Sequence, residues 1–374
     1  MTITVEQMRG QLLTLDQVRE RLATTEPLTA YPFVAGNAVR FTVEPGWQHG
    51  ISAKQGHDEV AAQFHLGKGS SALSLPLTKE AILTAVALTG LGRAYVTKIP
   101  AHLTEDQLNH WYHDGGMDKL PGKARDLQVI VLDGKAIGFT RSTFAPFSNL
   151  RLLDETLAGI GKRHGSAEVL ADYKFTHGFN GTRLRLILAG HTRRITGTDV
   201  DDDTWSVGLQ LSHSQLGGGS PRLDGYLFRW WCTNGAINTR ANSAAVVRRG
   251  GSLDDVYATF RSTVDGVLGE LEGSLDEVQQ LTTIPVEGSL SEFLRDVFER
   301  FHVPVADRTK IIEAVGDIDG PISMYAVMAA ITQAANDGRL EPSTVERLLN
   351  LGGNLAHHAR QRCDGCQRLL THTH

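Results

Sequence analysis

The chain has 374 residues, of which 41% are hydrophobic and 21% charged, and its formal net charge at pH 7 is −5. This length is enough for one large domain with an appendage or for two domains, and no apolar run approaches the roughly 20 residues of a membrane-spanning helix. The negative net charge argues against a protein that coats DNA with its whole surface, although a local basic patch can still bind phosphates.

The amino-terminal stretch Met1–Glu6 lacks a basic segment followed by an apolar one, so we expect no secretory signal. Three cysteines cannot form a disulfide framework, and Cys232 is far in sequence from Cys363 and Cys366. Such a sparse set suits a reducing compartment. We therefore expect a cytoplasmic protein with no membrane partner.

The predicted elements mix helices with strands. Residues 1–25 carry the apolar spacing of an amphipathic helix, and further helices are predicted near Lys79–Leu91, Thr104–Tyr112 and Leu152–Ile160. Short apolar or alternating runs separated by Gly, Pro and Asp predict a largely antiparallel sheet. These runs are Ala38–Val43, Leu127–Leu132, Ile137–Phe139, Leu184–Leu188, Trp205–Leu211 and Tyr226–Cys232. The fold class is therefore α+β, with helices flanking the sheet.

One long helix is predicted after the sheet, with Ser252 as its cap and Asp255 in a variant of the capping box. Its apolar residues form a continuous seam: Leu253, Tyr257, Phe260, Val264, Val267 and Leu271. Such a seam requires a partner along its length. The sequence leaves two partners open, namely the protein's own sheet and a helix of a second subunit, and the second would make a homo-oligomer.

The segment Thr282–Gly288 interrupts the helical pattern and predicts a linker. A helical carboxy-terminal unit then follows, with helices at Leu290–Phe301, Val305–Ala314, Ser323–Ala335 and Pro342–Leu355. We therefore predict a core domain over residues 1–288, which includes the amino-terminal helix, and a helical unit over residues 289–374.

Basic residues cluster around the strand Thr182–Leu188. Its alternation sends the leucines to one face and Arg183 and Arg185 to the other. Guanidinium groups bind phosphates and aromatic rings stack on bases. The predicted nucleic-acid-binding residues are Lys174, Arg183, Arg185, Arg193, Arg194, Arg229, Trp231, Arg240, Arg248 and Arg249. The competing interpretation is a solvated sheet face with the aromatic residues in the core. Alternation also places Trp230 and Trp231 on opposite faces, so at most one can stack.

The carboxy-terminal tail carries the spacing of a zinc knuckle. Cys363 and Cys366 supply thiolates, and His372 and His374 follow closely. Thiolate and imidazole suit tetrahedral zinc, so zinc is the one cofactor that the sequence suggests. Two alternatives stay open: His357 or His358 completes the site, or the tail holds two reduced cysteines and no metal.

Evidence for catalysis is weak. Cys232 would need a nearby base to become a thiolate, and burial at a strand end is the simpler interpretation. Asn234 and Gly235 suit a tight turn with positive φ. A hydrolase built on Asp199, Asp201 and Asp203 is a rival hypothesis without an adequate site, and the chain has none of the familiar nucleotide or hydrolase motifs. The sequence leans away from an enzyme without excluding one.

Two stretches carry a family resemblance. The first comprises Trp205–Ser214, Gly217–Ser220 and Phe228–Ile237, with Cys232-Thr233-Asn234-Gly235 at its end, and the second is Met324–Asn336, where an aromatic residue precedes a run of small residues. Together they resemble the hairpin signature and carboxy-terminal helix of the phage/plasmid-like DUF932 family over roughly residues 170–355. That resemblance implies a phage or plasmid setting in a bacterial host cytosol, beside replication, recombination or anti-defence genes.

The leading hypothesis is a phage-encoded nucleic-acid-binding accessory protein that forms a homo-oligomer. It would bind single-stranded DNA, or anneal it during recombination or replication. The alternative is a protein-interaction or anti-defence factor that acts on a host protein without binding DNA.

Overall fold

The computed structural model is mixed α+β, as predicted, but its strands form two sheets instead of one. It describes residues 9–26, 29–47, 62–69, 72–120, 125–144, 147–176, 181–198, 200–216, 221–230, 234–238, 253–271, 273–286, 289–300, 302–315, 322–335 and 342–360. Within this described part of the chain every helix is too short or too polar to traverse a lipid bilayer.

The first sheet has six strands and follows the amino-terminal helix α1 (Leu15–Ala23). Its strands are β1 (Thr29–Val34), β2 (Val39–Val43), β3 (Ala62–Leu66), β4 (Leu73–Leu77), β5 (Asp126–Leu132) and β6 (Lys135–Arg141). They lie in the order β1-β5-β6-β4-β3-β2, and all neighbours are antiparallel except β4 and β6. Helices α2 (Lys79–Leu88), α3 (Arg93–Val96) and α4 (Ala101–Tyr112), with a 3-10 turn at Gly116–Lys119, connect β4 to β5.

Aromatic side chains fill the core under this sheet. Phe41, Phe64 and Phe139 contact one another with ring centroids 5.1 to 5.6 Å apart, and Tyr112 of α4 closes the cluster. The Tyr112 hydroxyl donates to the carbonyl of Ala85 at 2.9 Å, so its buried polar end is satisfied.

The second sheet has five antiparallel strands in the order β11-β10-β9-β8-β7. Helix α5 (Asn149–His164) precedes β7 (Val169–Thr176), β8 (Gly181–Arg194), β9 (Thr204–Ser214), β10 (Arg222–Arg229) and β11 (Asn234–Asn238). Asn234 and Gly235 pair with β10 inside this sheet, so the expected tight turn at these residues is wrong. The preceding strand ends earlier than predicted, at Arg229, and Arg229 pairs with Asn234.

Six helices follow the second sheet: α6 (Leu253–Leu271), α7 (Ser274–Leu281), α8 (Leu290–Arg300), α9 (Val305–Val315), α10 (Met324–Ala334) and α11 (Pro342–Arg360). Residues of α8 to α11, such as Val297, Met328 and Leu348, belong to the same hydrophobic cluster as the leucines of β8 and β9. The first sheet has a separate cluster. The domain boundary at residue 288 stays a prediction, but the hydrophobic core runs across it.

The apolar seam of α6 is buried inside the chain. Phe260, Val264 and Leu271 have no exposed surface, and α6 packs against α5 and against β9 and β10. Gly159 of α5 makes the close approach possible, because a Cβ there would lie 2.6 Å from Val264. The seam is therefore an intrachain contact and provides no interface for a second subunit.

The two sheets meet where β6 faces the end of β9. Leu216, just after β9, packs on Gly138 of β6, where a Cβ would lie 2.6 Å from the leucine side chain. Nearby, the Gln128 amide donates to the Thr140 hydroxyl at 3.1 Å and to the carbonyl of Phe144. The second face of the first sheet is therefore partly buried.

Gly208 of β9 provides a direct stability test. A Cβ at Gly208 would lie 2.4 Å from the backbone oxygen of Leu186, whereas one at Gly190 of β8 would meet nothing within 4 Å. Gly208→Ala should lower the free energy of unfolding by about 1–3 kcal/mol, because backbone must move to admit the methyl group. Gly190→Ala, the control, should change it by less than about 0.5 kcal/mol. Urea denaturation measures both, and equal effects would contradict the packing described here.

Candidate anion-binding face of the second sheet

Strand β8 has the two faces that its alternation predicted. Leu184, Leu186 and Leu188 have no exposed surface and belong to the core. Arg183 and Arg185 project from the opposite face, but that face is only partly solvated. Arg185 retains 4% of its exposure and Ile187 none, so part of the second face is also interior.

A polar row crosses the sheet at Arg185. The register places Asp172 of β7, Arg185 of β8, Gln210 of β9 and Asp224 of β10 side by side. The Arg185 guanidinium donates to Gln210 Oε1 at 3.0 Å and to Asp172 Oδ2 at 3.4 Å, and it lies 4.6 Å from the centroid of the Tyr226 ring. These contacts satisfy a buried charge, so Arg185 stabilises the sheet and is not open to a phosphate.

A second row lies on the same face of the sheet, two residues away along each strand, and is more accessible to solvent. It runs Lys174, Arg183, Ser212, Arg222 across β7 to β10. Lys174 is exposed and Arg183 is half-buried. Arg222 pairs with Asp224 at 2.9 Å and with Glu346 of α11 at 3.1 Å. Among the described residues, neither Lys174 nor Arg183 forms a hydrogen bond or an ion pair. We call Lys174, Arg183 and Arg222 the cationic row.

Two of the three cations in the row, Lys174 and Arg183, have no direct carboxylate partner among the described residues, whereas Arg222 has two. Burial lowers the pKa of Arg183, and the neighbouring charge of Arg185 lowers it further, whereas the charges of Asp172 and Glu346 act in the opposite direction. Burial also lowers the pKa of Lys174, and repulsion from Arg183 and Arg185 adds to this against the opposing attraction of Asp172. Both shifts mean that the protein destabilises these charges. A bound anion would relieve that cost, so the row can act as an anion-binding site.

The other basic residues predicted for nucleic-acid binding are engaged elsewhere or lie outside the described residues. Arg193 pairs with Asp276, and Arg194 lies 3.7 Å from Asp202, although both are exposed. Trp231, Arg240, Arg248 and Arg249 lie outside the described residues, as does Cys232.

The prediction that Arg229 belongs to the nucleic-acid-binding site is wrong. Arg229 retains 3% of its exposure and donates from Nε and Nη2 to the two oxygens of Asp203, at 2.8 and 2.5 Å. The Tyr325 hydroxyl of α10 also donates to Asp203, and it accepts from Trp205 Nε1 at 3.1 Å. A guanidinium in this closed network cannot reach a phosphate.

The same network bears on the hydrolase hypothesis. Asp203 is fully buried and bonded to Arg229 and Tyr325, so it cannot serve as a catalytic carboxylate for an external substrate. Asp201 is exposed and Asp199 lies outside the described residues. Sequence analysis missed the network because Tyr325 lies far from Asp203 along the chain.

Trp230 does not offer a ring for base stacking. It is fully buried, its Nε1 donates to the Ser206 hydroxyl at 2.5 Å, and its ring meets Phe228 edge to face with centroids 5.1 Å apart. Tyr226 and Phe228 are buried as well. The described aromatic residues of β10 therefore belong to the core, as the competing interpretation held.

A buried histidine has surroundings that sequence analysis did not anticipate. His213 of β9 contacts Asn149 Oδ1 at 2.9 Å through Nδ1, and Asn149 Nδ2 donates to the Thr182 hydroxyl. Since the Asn149 oxygen accepts, Nδ1 carries the proton and Nε2 is a bare acceptor. Nε2 has no hydrogen-bond partner among the described residues, and burial lowers the pKa of His213 to about 3. The alternation of β9 is the signal that could have revealed this burial, because it places His213 on the same face as Leu209 and Leu211.

Comparison of the chain with protein-family models, with curated proteins and with solved structures found no match. The resemblance to the DUF932 family therefore stays a prediction that rests on the two short stretches given above.

The zinc site also stays a prediction, because Cys363, Cys366, His372 and His374 lie outside the described residues. The described part of the chain contains no group of three or more His, Cys, Asp or Glu side chains that could hold a metal. Metal analysis of protein purified without chelator should find about one zinc per chain, and the variant Cys363→Ser/Cys366→Ser should lose it. Absence of zinc from the parent protein would refute the site.

His213 makes the fold sensitive to acid. The folded pKa is about 3, against 6.5 for free histidine, so the folded state binds fewer protons between these values. The neutral His213 side chain therefore contributes its full stabilisation above pH 6.5, the pKa in the unfolded chain. As the pH decreases from 6.5 toward 3, this contribution to the free energy of unfolding falls by about 1.4 kcal/mol per pH unit. His213→Gln should remove this part of the slope, whereas His102→Gln, at an exposed position, should keep it. Urea denaturation at several pH values measures the slopes, and equal slopes for parent and His213→Gln would contradict the assignment.

Proposed function

We propose that this protein binds single-stranded nucleic acid, with DNA favoured, through phosphate contacts at the cationic row. The observation that carries the proposal is Arg183: a half-buried guanidinium with no hydrogen bond or ion pair to another described residue, beside Lys174 and Arg185. A half-buried cation without a direct ion pair is costly, even with the carboxylates of Asp172 and Glu346 in its surroundings. Phosphate oxygens complement a guanidinium through forked, charge-assisted hydrogen bonds.

The shape of the row supports a polymer in preference to a single phosphate. Neighbouring strands lie about 4.8 Å apart, so Lys174 and Arg222, three strands apart, span about 14 Å. Ser212 contributes a hydroxyl between Arg183 and Arg222. A line of this length can contact several phosphates of one backbone. Binding would rest on phosphates and not on stacking, since the rings of Tyr226, Phe228 and Trp230 are buried.

The wider role is an accessory protein of phage replication or recombination that acts in the host cytosol. The family resemblance supports this part of the proposal, and the net charge of −5 restricts phosphate contacts to a local patch. A homo-oligomer would place several cationic rows along one nucleic-acid strand, but it requires a contact other than the α6 seam.

The variant Lys174→Ala/Arg183→Ala tests the row. It should weaken binding of a fluorescent single-stranded oligonucleotide, and the slope of log K against log salt should shrink by about 0.7 for each phosphate that the variant no longer binds. Arg193→Ala/Arg194→Ala is the matched control, because it removes the same charge from the far end of β8, where both residues face carboxylates. The control should bind nearly as the parent does, as fluorescence polarisation over a salt series would show.

Two results would contradict the proposal. Equal weakening in both variants would mean that general charge, and not the row, governs binding. Absence of binding by the parent at low salt would favour the alternative, a factor that acts on a host protein. Unfolding curves for each variant separate weaker binding from a damaged fold, and Lys174 and Arg183 should tolerate alanine because the leucine face of β8 stays intact.

A further inference from the structure

A groove on the surface of α4 has chemistry opposite to that of the cationic row. Its volume is about 430 Å³, and Leu91, Leu103, Asp106, Gln107, His110 and Trp111 line it. This volume lies toward the lower end of the range for small-molecule pockets and is sufficient for one long side chain. Leu103 keeps 40% of its exposure, which is unusual for a leucine on a helix beside a sheet core.

The Trp111 ring is held in place by the turn that follows α4. A Cβ at Gly116 would lie 2.8 Å from Trp111 Cα and 2.9 Å from its ring atom Cε3, so the backbone of the 3-10 turn packs directly against the tryptophan. Gly115, with φ of +83°, sets up this turn. His110 meets Trp111 edge to face with ring centroids 5.7 Å apart. The ring is therefore a fixed wall of the groove.

The surface that lines this groove is almost wholly apolar, and Asp106 is the acidic residue among its lining residues. The Asp106 side chain is exposed at the groove and forms no hydrogen bond or ion pair to another described residue. Gln107 Oε1 is a buried atom without a hydrogen-bond partner in the described chain. Because Gln107 Oε1 is buried, a ligand in the groove does not reach it. The ligand that matches this groove has an apolar stem that ends in a positive charge beside Asp106.

We propose that this groove binds a lysine or arginine side chain from a basic segment of a protein partner. The π-face of Trp111 attracts a cation, and Asp106 supplies the opposite charge. Leu91 and Leu103 would cover the methylene stem, since long basic side chains bury their stems on apolar surface while the charged head stays polar. A nucleic-acid strand is a poorer occupant, because Asp106 repels phosphate. The inference is independent of the nucleic-acid proposal.

The experiment follows Trp111 by nuclear magnetic resonance. The whole chain is labelled with ¹⁵N-tryptophan, which gives one indole signal for each of the five tryptophans, and Trp111→Phe identifies the signal of interest. The probes are blocked acetyl-Leu-Arg-Leu-amide and the same peptide with citrulline, which keeps the stem and removes the charge. Measurements at about pH 8 keep histidine neutral.

We expect the arginine peptide to shift the Trp111 signal in a saturable manner and the citrulline peptide to bind more weakly. Asp106→Asn should lower the affinity for the arginine peptide by up to about fivefold, which is the effect expected from the loss of an exposed ion pair. Glu20→Gln, which makes the same charge change on α1, should leave binding unchanged. Unchanged signals from the other tryptophans would show that Asp106→Asn is folded.

Three results would overturn the inference. Equal binding of the arginine and citrulline peptides would indicate a groove that selects only apolar surface. A Trp111 signal that neither peptide moves would mean that the groove takes no basic side chain. A shift caused by a thymidine oligonucleotide and not by the arginine peptide would reassign the groove to base stacking. Lys174→Ala/Arg183→Ala should have no effect on peptide binding, which keeps this test separate from that of the cationic row.

Discussion

The second sheet depends on one buried ion pair, Arg229 with Asp203. Two charges removed from water are tolerated only when every donor and acceptor around them is satisfied. Arg229 donates to both carboxylate oxygens, Tyr325 donates to the same carboxylate, and Trp205 donates to Tyr325. Because Tyr325 belongs to α10, this polar network fixes the carboxy-terminal helices to the sheet, in addition to the apolar contacts of the shared core.

The opposite face of that sheet is a compromise between burial and charge. In its interior row the charge of Arg185 is satisfied by Asp172 and Gln210. The neighbouring row differs: Arg222 has two carboxylate partners, while Arg183 and Lys174 have none within the described chain. Arg185, whose charge is satisfied within the sheet, and Arg183, which the proposed function uses, are therefore only two residues apart on β8. Position on the pleat selects the face, and cross-strand neighbours decide whether a charge is satisfied.

The two candidate sites attract opposite charges and lie on different parts of the fold. The cationic row belongs to the second sheet, and the groove that Asp106 borders belongs to α4 beside the first. A protein with both could hold a polyanion at one surface and a basic partner at the other.

Local pattern alone determined much of this protein. Alternation in β8 defined its leucine face, and the seam of α6 and the four carboxy-terminal helices followed from helical periodicity. Tertiary structure decided the division into two sheets. The strands β3 and β4 are short and polar on one face, and β4 pairs with β6, from which it is separated along the chain by α2 to α4. Tertiary structure also decided that Arg185 and Arg229 are buried, that α6 packs on α5, and that Trp111 faces a groove. Each of these outcomes depends on partners distant in sequence, and periodicity reports which face a side chain occupies but not what lies against that face.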